Sequence, residues 1–271
     1  MKKVIALTAL MAYSAAFAQS TTSTTNITAK KKSFTDDMSY FYWSDLRTGK
    51  LNEEVRGNVP DTYFYNMFNI RYTLNDKDRF NFQIRFGLTD EYDENGKGDR
   101  FEEDDIRVTY QRLLFANDTT SIRLTPSLQL PTSRGSQADE DRIVRLKPNI
   151  IISHNFDDYN SLLVVPAYTR TIYTKGQAPT DETSRYYMST WVMYTNKYLS
   201  DKYVLRADLE TKHVHMNGKA DTALETTAFD LVVGVDMNLA GTSVFPFLVH
   251  DTMGVKAVDQ LGGGIQIFKV F

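Results

Sequence analysis

An unbroken alternation of apolar and polar residues over positions 79–89 is the feature that most limits how this chain can fold. Every second residue there is apolar, namely Phe80, Phe82, Ile84, Phe86 and Leu88. Successive side chains of a β-strand point to opposite faces, so the pattern predicts a strand with one apolar and one polar face. The same rhythm recurs at residues 121–130, 203–211 and 229–239, which indicates an all-β fold.

Twelve segments with strand-like patterns follow one another along the chain, and their connections alternate between short and long. Their approximate bounds are 38–46, 62–74, 78–89, 104–115, 120–131, 142–154, 161–173, 184–198, 202–212, 222–239, 242–251 and 256–271. Tight turns on one side and longer loops on the other are typical of transmembrane β-barrels. The sequence therefore predicts a transmembrane, antiparallel up-and-down β-barrel of about twelve strands. A soluble periplasmic sandwich is the alternative all-β fold.

The N-terminus has the parts of a secretory signal peptide. Lys2 and Lys3 form a basic start, residues 4–11 are an apolar run, and residues 16–18 offer a small-residue cleavage site. Export follows from such a signal, and a barrel fold then predicts localisation in the cell outer membrane. Three parts are therefore expected, namely a signal peptide (1–18), a flexible periplasmic lead-in (19–35) and an outer-membrane barrel (36–271).

Composition excludes several classes of protein. The chain has no cysteine, so disulfides, thiolate metal sites and cysteine nucleophiles are impossible. The formal net charge is −3 and becomes more negative when Lys2 and Lys3 leave with the signal, so no nucleic-acid partner is expected. Beyond the signal, no stretch reaches the roughly 18 consecutive apolar residues of a spanning helix. Aromatic residues make up 13% of the chain, and barrels place them where lipid meets water.

The end of the chain carries a strand pattern up to a final aromatic residue, through Ile265, Ile267, Phe268, Val270 and Phe271. In this the chain resembles the bacterial outer-membrane β-barrel proteins, whose last strand ends in an aromatic residue recognised during assembly. The resemblance implies that Phe271 is an assembly signal and that the barrel-assembly machinery and outer-membrane lipids are partners. Lys269 departs from the pattern, because an apolar residue is usual at that position.

The polar sides of the strands predict what faces the lumen, provided that the apolar sides face lipid. The predicted pore-lining residues are Arg85, Arg107, Arg123, Arg145 and Lys147 on a basic wall, and Arg206, Asp208, Glu210, Asp230 and Asp236 on a mainly acidic wall. Such segregation would set a transverse field that favours polar or charged solutes. Alternatively, the charges pair across the lumen and lock a closed, structural barrel.

The function predicted from these features is a monomeric, porin-like channel for passive diffusion of small polar or charged solutes. In size and basic wall the chain looks like small twelve-stranded porins for acidic sugars, from which its acidic wall departs. A non-conducting structural or surface-interaction barrel is the main alternative. An outer-membrane lipid hydrolase is a further one, but Ser153 and His154 point to opposite faces of a strand and form no local dyad. We therefore expect no enzymatic activity.

One loop has the spacing of an EF-hand calcium site. Oxygen-bearing side chains stand at relative positions one, three, five and twelve of residues 91–102, and Gly96 takes the place of the tight turn. The candidate ligands are Glu91, Asp93, Asn95 and Glu102. A solvated acidic hairpin is the alternative, because strands rather than helices flank the loop. Weak calcium binding is thus a hypothesis, and no other cofactor is predicted.

Overall fold

A computed structural model describes residues 37–48, 62–89, 101–133, 136, 142–174, 186–200, 202–215, 224–251 and 261–271. The strands are β1 (Met38–Thr48), β2 (Thr62–Thr73), β3 (Asp78–Thr89), β4 (Phe101–Glu103), β5 (Arg107–Ala116), β6 (Thr120–Leu124), β7 (Ser127–Gln129), β8 (Arg142–Lys147), β9 (Ile150–Asn155), β10 (Asn160–Tyr173), β11 (Tyr186–Ser200), β12 (Tyr203–His215), β13 (Leu224–Leu239), β14 (Thr242–Asp251) and β15 (Leu261–Val270). Among the residues described, no helix is long and apolar enough to cross a membrane.

The strands form one closed antiparallel sheet. Three positions of the barrel wall are each formed by two consecutive strands, namely β4 with β5, β6 with β7, and β8 with β9. Counting each such pair as one, the wall has 12 strand positions, which we call staves. Each stave pairs with the next along the chain, and the sheet closes where β1 pairs with β15, from Phe41 opposite Val270 to Thr48 opposite Gly263. Closure leaves no strand edge, so the backbone amides find partners inside the protein, as hydrocarbon requires. The predicted all-β, twelve-stranded barrel is confirmed.

Prolines interrupt two of the staves. Pro126 separates β6 from β7, and Pro148 lies between β8 and β9, because proline has no backbone N–H to donate to a ladder. Their carbonyl oxygens still accept hydrogen bonds from the amides of Tyr110 (3.0 Å) and Tyr168 (3.1 Å). The continuous strands expected at 120–131 and 142–154 are therefore each divided in two, without opening the barrel.

The outside of the barrel is apolar and its inside is largely polar. On β3 the exposed fractions of Phe80, Phe82, Ile84 and Leu88 are 41%, 38%, 44% and 40%. Between them, Asn81, Gln83 and Arg85 are 3%, 2% and 2% exposed. A continuous apolar exterior of this kind would be an aggregation surface in water and is the surface that the hydrocarbon of a bilayer covers. The alternation read from the sequence is thus the alternation between lipid and lumen.

Short turns join the staves at the end of the barrel where both Met38 and Phe271 lie, which we call the turn end; the opposite end is the loop end. The connection between β13 and β14 is a two-residue turn. Ala240 and Gly241 have φ angles of 51° and 79°, which is the left-handed conformation favoured in two-residue hairpins. The amide of Gly241 donates to Oδ1 of Asn238 at 3.1 Å.

Candidate functional site in the barrel lumen

All ten predicted pore-lining residues stand on the polar, inward side of their strands. Six are buried, namely Arg85, Arg107, Lys147, Arg206, Asp208 and Glu210. Four are partly buried, namely Arg123, Arg145, Asp230 and Asp236. Their inward placement agrees with the period-two pattern. That they line a path for solutes stays a prediction.

We call the inward face of β3 to β9 the polar wall. On this wall, Arg85 of β3 contacts a residue of β2 and two residues that follow β4. Its guanidinium forms an ion pair with Asp104 at 2.9 Å and donates to the hydroxyl of Tyr65 at 3.2 Å and to the carbonyl oxygen of Asp105 at 2.8 Å. Asp104 and Asp105 lie in the break between β4 and β5. Sequence reasoning missed both, because a break in a strand interrupts the two-residue rhythm that identifies inward positions.

Asp105 is a fully buried carboxylate that holds residues beyond β7 against the wall. Its Oδ1 accepts hydrogen bonds from the amides of Thr132 and Ser133, both at 3.0 Å, and from the Ser133 hydroxyl at 2.8 Å. Its Oδ2 accepts from the Ser136 hydroxyl at 2.6 Å and pairs with Arg142. Five donors thus stabilise one carboxylate at the loop end, which holds Thr132, Ser133 and Ser136 close to Asp105.

Two arginines and two phenylalanines form a row of contacts on the inner side of the strands from β12 to β1, and we call it the aromatic column. The guanidinium of Arg206 lies 4.3 Å from the Phe245 ring centroid, Phe245 and Phe247 are stacked at 5.5 Å, and Arg47 lies 5.5 Å from the Phe247 centroid. Nε of Arg206 donates to Asp208 at 2.9 Å, and Nε of Arg47 donates to Asp45 at 2.8 Å. The sequence pattern did not place either phenylalanine in the lumen.

Two glycines make room for this column. A Cβ on Gly234 would lie 2.2 Å from the carbonyl oxygen of Pro246 and 2.7 Å from the Phe245 ring. A Cβ on Gly264 would lie 2.5 Å from the Phe247 ring and 2.4 Å from the carbonyl oxygen of Leu46. Each phenylalanine ring therefore rests on the bare backbone of a neighbouring stave.

Part of the lumen is apolar. One buried cluster consists of Phe41, Trp43, Tyr65, Met67, Val232, Phe245, Phe247 and Phe268, and a second of Ile151, Leu163, Val165, Trp191 and Met193. In the predicted acidic wall, Asp208 forms an ion pair with Arg206 of its own strand, so the negative charge of Asp208 is neutralised there. The interior thus differs from two facing walls of opposite charge: a polar and basic wall faces aromatic side chains.

A small cavity remains in the polar wall. It has a volume of about 10 Å³, and the side chains around it include Asn81, Gln83, Arg107, Thr109, Ser127 and Lys147. Nε and Nη1 of Arg107, Oε1 of Gln83 and Oγ1 of Thr109 are buried without a hydrogen-bond partner in the described part of the chain. Two of the predicted pore-lining cations, Arg107 and Lys147, thus line the same cavity.

The remaining residues singled out in the sequence are the calcium candidates, His154 and Phe271. Glu91, Asp93 and Asn95 lie outside the described residues, and the side chain of Glu102 is not described, so calcium binding there stays a hypothesis. Nδ1 of His154 lies 2.9 Å from the hydroxyl of Thr120. Phe271 is 68% exposed, and its amide donates to the carbonyl oxygen of Tyr40 at 2.9 Å. Its role in assembly stays a prediction.

Comparison with known proteins supports the architecture. No protein-family model matches the chain, and no curated protein sequence matches it. Among solved structures, an outer membrane channel from Pseudomonas putida F1 is 12% identical with a TM-score of 0.53, over 86% of this chain and 94% of that one. The NanC porin is 9% identical with a TM-score of 0.53, over 85% and 98%. These likenesses show the fold: the chain is a closed, twelve-stranded antiparallel β-barrel with an apolar exterior, the architecture that it shares with these two outer-membrane proteins.

Proposed function

We propose that this barrel is a porin-like channel for the passive diffusion of small polar or charged solutes. The observation that carries the proposal is the set of inward-facing polar atoms that lack protein partners. Besides atoms of Arg107, Gln83 and Thr109, the set includes both side-chain polar atoms of Asn69, all within the described part of the chain. Buried polar groups in native proteins almost always bond to protein or to water. Such a lumen is suited to water and to the solutes that water carries.

The polar wall supplies the path for these solutes. Asn81, Gln83, Thr109, Gln111 and Ser127 are at most 9% exposed and face inward beside the buried cations. A purely structural interior of this size would gain more from apolar packing than from amides and hydroxyls, because each unsatisfied polar group costs about 1–3 kcal/mol. The mechanism is passive: the wall charges and hydroxyls replace part of the solute's hydration shell, and no chemical step occurs.

A non-conducting structural or surface-interaction barrel is the second candidate, and a specific observation favours it. The two apolar clusters and the aromatic column fill much of the lumen with side chains. Eight-stranded barrels are closed by their interior side chains and sixteen-stranded porins hold a water channel, so about twelve strands lie between these cases. The two candidates therefore differ in whether ions pass the aromatic column.

Single-channel recording on the mature protein, purified in detergent and inserted into a planar bilayer, separates them. A channel should give discrete, reproducible conductance steps that increase with salt concentration. A heat-denatured sample serves as the control for detergent artefacts. If the folded protein inserts and yet gives no steps, the channel proposal is wrong and the structural candidate replaces it. A phospholipase assay on the same sample should show no hydrolysis.

A further inference from the structure

We propose that Arg107 and Lys147 form a binding site for a small monovalent anion in the polar wall of the lumen. Arg107 is 2% exposed and Lys147 is 7% exposed, and both line the same cavity. The strand register brings them together: Thr109 lies opposite Ser127, and Ser127 lies opposite Lys147, in one row across three staves. Arg107 is the next inward residue of β5 beyond Thr109.

Three donor atoms at the cavity are left without a protein partner among the described residues, whereas the hydroxyls of Thr125 and Ser127 donate to the carbonyl oxygens of Asn149 and Lys147. Nε and Nη1 of Arg107 and the hydroxyl of Thr109 are buried and have no hydrogen-bond partner within the described ranges. Arg85 and Arg206 differ from Arg107 in that each forms an ion pair, with Asp104 and Asp208 respectively, although Nε of Arg85 also lacks a hydrogen-bond partner within the described part of the chain. A buried guanidinium without a counterion is costly, so an anion in the cavity would supply the partner that the chain does not.

The charges near the cavity favour an anion over a cation. None of the described residues that line it is acidic. Two carboxylates act on these cations from outside the lining of the cavity: Asp104, which pairs with Arg85, acts on Arg107, and Glu210 of β12 acts on Lys147. Arg85 adds a further positive charge that acts on both Arg107 and Lys147. A cation placed here would meet three positive groups.

The size of the cavity limits the ligand. Its volume of about 10 Å³ matches the space of roughly one water-sized sphere. A chloride ion, or a single oxygen of a carboxylate whose remaining atoms extend into the lumen, is of this size. The chemistry shared by both is one negatively charged atom that accepts hydrogen bonds from a guanidinium and a hydroxyl.

This site deepens the proposed function, and its role in solute selection rests on that function. A positive site on the path of a channel would hold anions briefly and make them the preferred solutes. Binding itself needs no conduction, so the two ideas can fail separately. A barrel that binds chloride and never conducts would contradict the channel alone, whereas a conducting barrel that binds no chloride would contradict the site alone.

The test measures chloride binding to the refolded mature protein in a chloride-free detergent by the line width of the chloride NMR signal. The wild type should broaden the signal in a saturable way, and Arg107→Gln should remove most of that broadening. Arg112→Gln is the matched control, because Arg112 lies on the same strand with its side chain 54% exposed. Acetate that narrows the signal again would extend the ligand class to carboxylates; acetate without effect would confine it to chloride.

Thermal unfolding gives a second readout that does not depend on the NMR signal. Replacing sodium methanesulfonate, which has no carboxylate, by sodium chloride at constant ionic strength should raise the unfolding midpoint of the wild type and of Arg112→Gln, because a ligand of the folded state stabilises it. The rise should be absent in Arg107→Gln. An equal rise in Arg107→Gln, or no saturable broadening and no rise in the wild type, would overturn the proposal. If Arg107→Gln does not fold, Lys147→Gln takes its place in both measurements.

Discussion

The guanidinium carbon of Arg206 on β12 lies 4.3 Å from the ring centroid of Phe245 on β14, inside the barrel and over the intervening strand β13, where Gly234 is the register partner of Arg206. Both side chains are nearly inaccessible, at 3% and 1% exposed. A cation held over an aromatic ring away from water contributes about 2 kcal/mol. Asp208 neutralises the same arginine from its own strand. The contact therefore joins the charged part of the lumen to its apolar part.

Removing the ring should widen the lumen at this contact. We predict that Phe245→Ala raises the single-channel conductance several-fold. The Phe245 ring joins Arg206 to Phe247 in the aromatic column, so its removal leaves a gap in the column. The same change should lower the free energy of unfolding by about 3–5 kcal/mol, which is usual for a buried phenylalanine. Planar-bilayer recording measures the first effect, and urea titration of vesicle-inserted protein measures the second.

Phe82→Ala is the matched control for this experiment. Phe82 is 38% exposed on the outer face of β3, so its removal should leave conductance as it is. Equal conductance in wild type and Phe245→Ala would mean that the column does not limit the passage.

Charge reversal on the polar wall should change ion selectivity. Arg123 is partly buried on the inward side of β6. We predict that Arg123→Glu shifts the reversal potential in a salt gradient toward cation preference, since a pore lined by acidic groups attracts cations. Arg112→Glu on the exposed outer side of β5 should leave the reversal potential as it is in the wild type. If both variants behave alike, Arg123 does not face the permeating ions.

The fold could be predicted because inward and outward side chains alternate along a barrel strand, and this alternation is visible in the sequence. Where an apolar exterior meets a polar interior, as on β3 and β12, apolar and polar residues alternate, and Arg85 and Asp208 are buried at the inward positions. The breaks at Pro126 and Pro148 agree with the missing N–H of proline, whereas Pro166 and Pro246 lie within the continuous strands β10 and β14.

The content of the lumen could not be predicted, because alternation shows only that two faces differ. On β1 both faces are aromatic: Phe41 and Trp43 point inward, while Tyr40 points outward. On β14 the inward residues Phe245 and Phe247 are as apolar as their outward neighbours. Polarity contrast is absent in both strands, so only the strand register assigns these rings to the lumen. The aromatic column follows from that register and from glycines on the neighbouring staves.

Asp105 should be the most costly acidic side chain to remove. We predict that Asp105→Ala lowers the free energy of unfolding by about 3–5 kcal/mol, because it leaves the buried Arg142 without its counterion. Urea unfolding followed by tryptophan fluorescence measures the change. Asp118→Ala, at an exposed turn residue, should lie within about 0.5 kcal/mol of the wild type. An equally small loss in Asp105→Ala would mean that the contacts of the five donors with this carboxylate contribute little to the free energy of unfolding.

The turn between β9 and β10 should make stability depend on pH. Hydrogen bonds from the Asn160 side chain and from the amides of Tyr159 and Asn160 hold the pKa of Asp157 below its ordinary value. A carboxyl whose pKa is lower in the folded state stabilises the fold above its unfolded pKa of about 4 and loses this contribution as the pH falls through the folded value. Asp157→Ala should therefore be less stable than the wild type at pH 7, and the difference should narrow in acid.

Unfolding midpoints in urea, measured from pH 7 down to pH 3, follow this difference. Asp158→Ala is the control, because it removes a carboxylate from the same exposed turn. If the difference in unfolding midpoint between wild type and Asp157→Ala stays constant from pH 7 to pH 3, the effect is not due to the charge of Asp157.

The turn between β13 and β14 offers a change that should stabilise the barrel. Ala240 has a φ of 51°, a conformation that costs a residue with a Cβ about 1 kcal/mol and that asparagine tolerates better. Ala240→Asn should therefore raise the free energy of unfolding by about 0.5–1 kcal/mol. Gly241→Ala should lower it instead, although a Cβ there would meet no atom within 4 Å, because a φ of 79° strains the backbone itself. Equilibrium urea unfolding of both variants decides the matter: the two changes must have opposite signs if turn conformation, rather than packing, limits this hairpin.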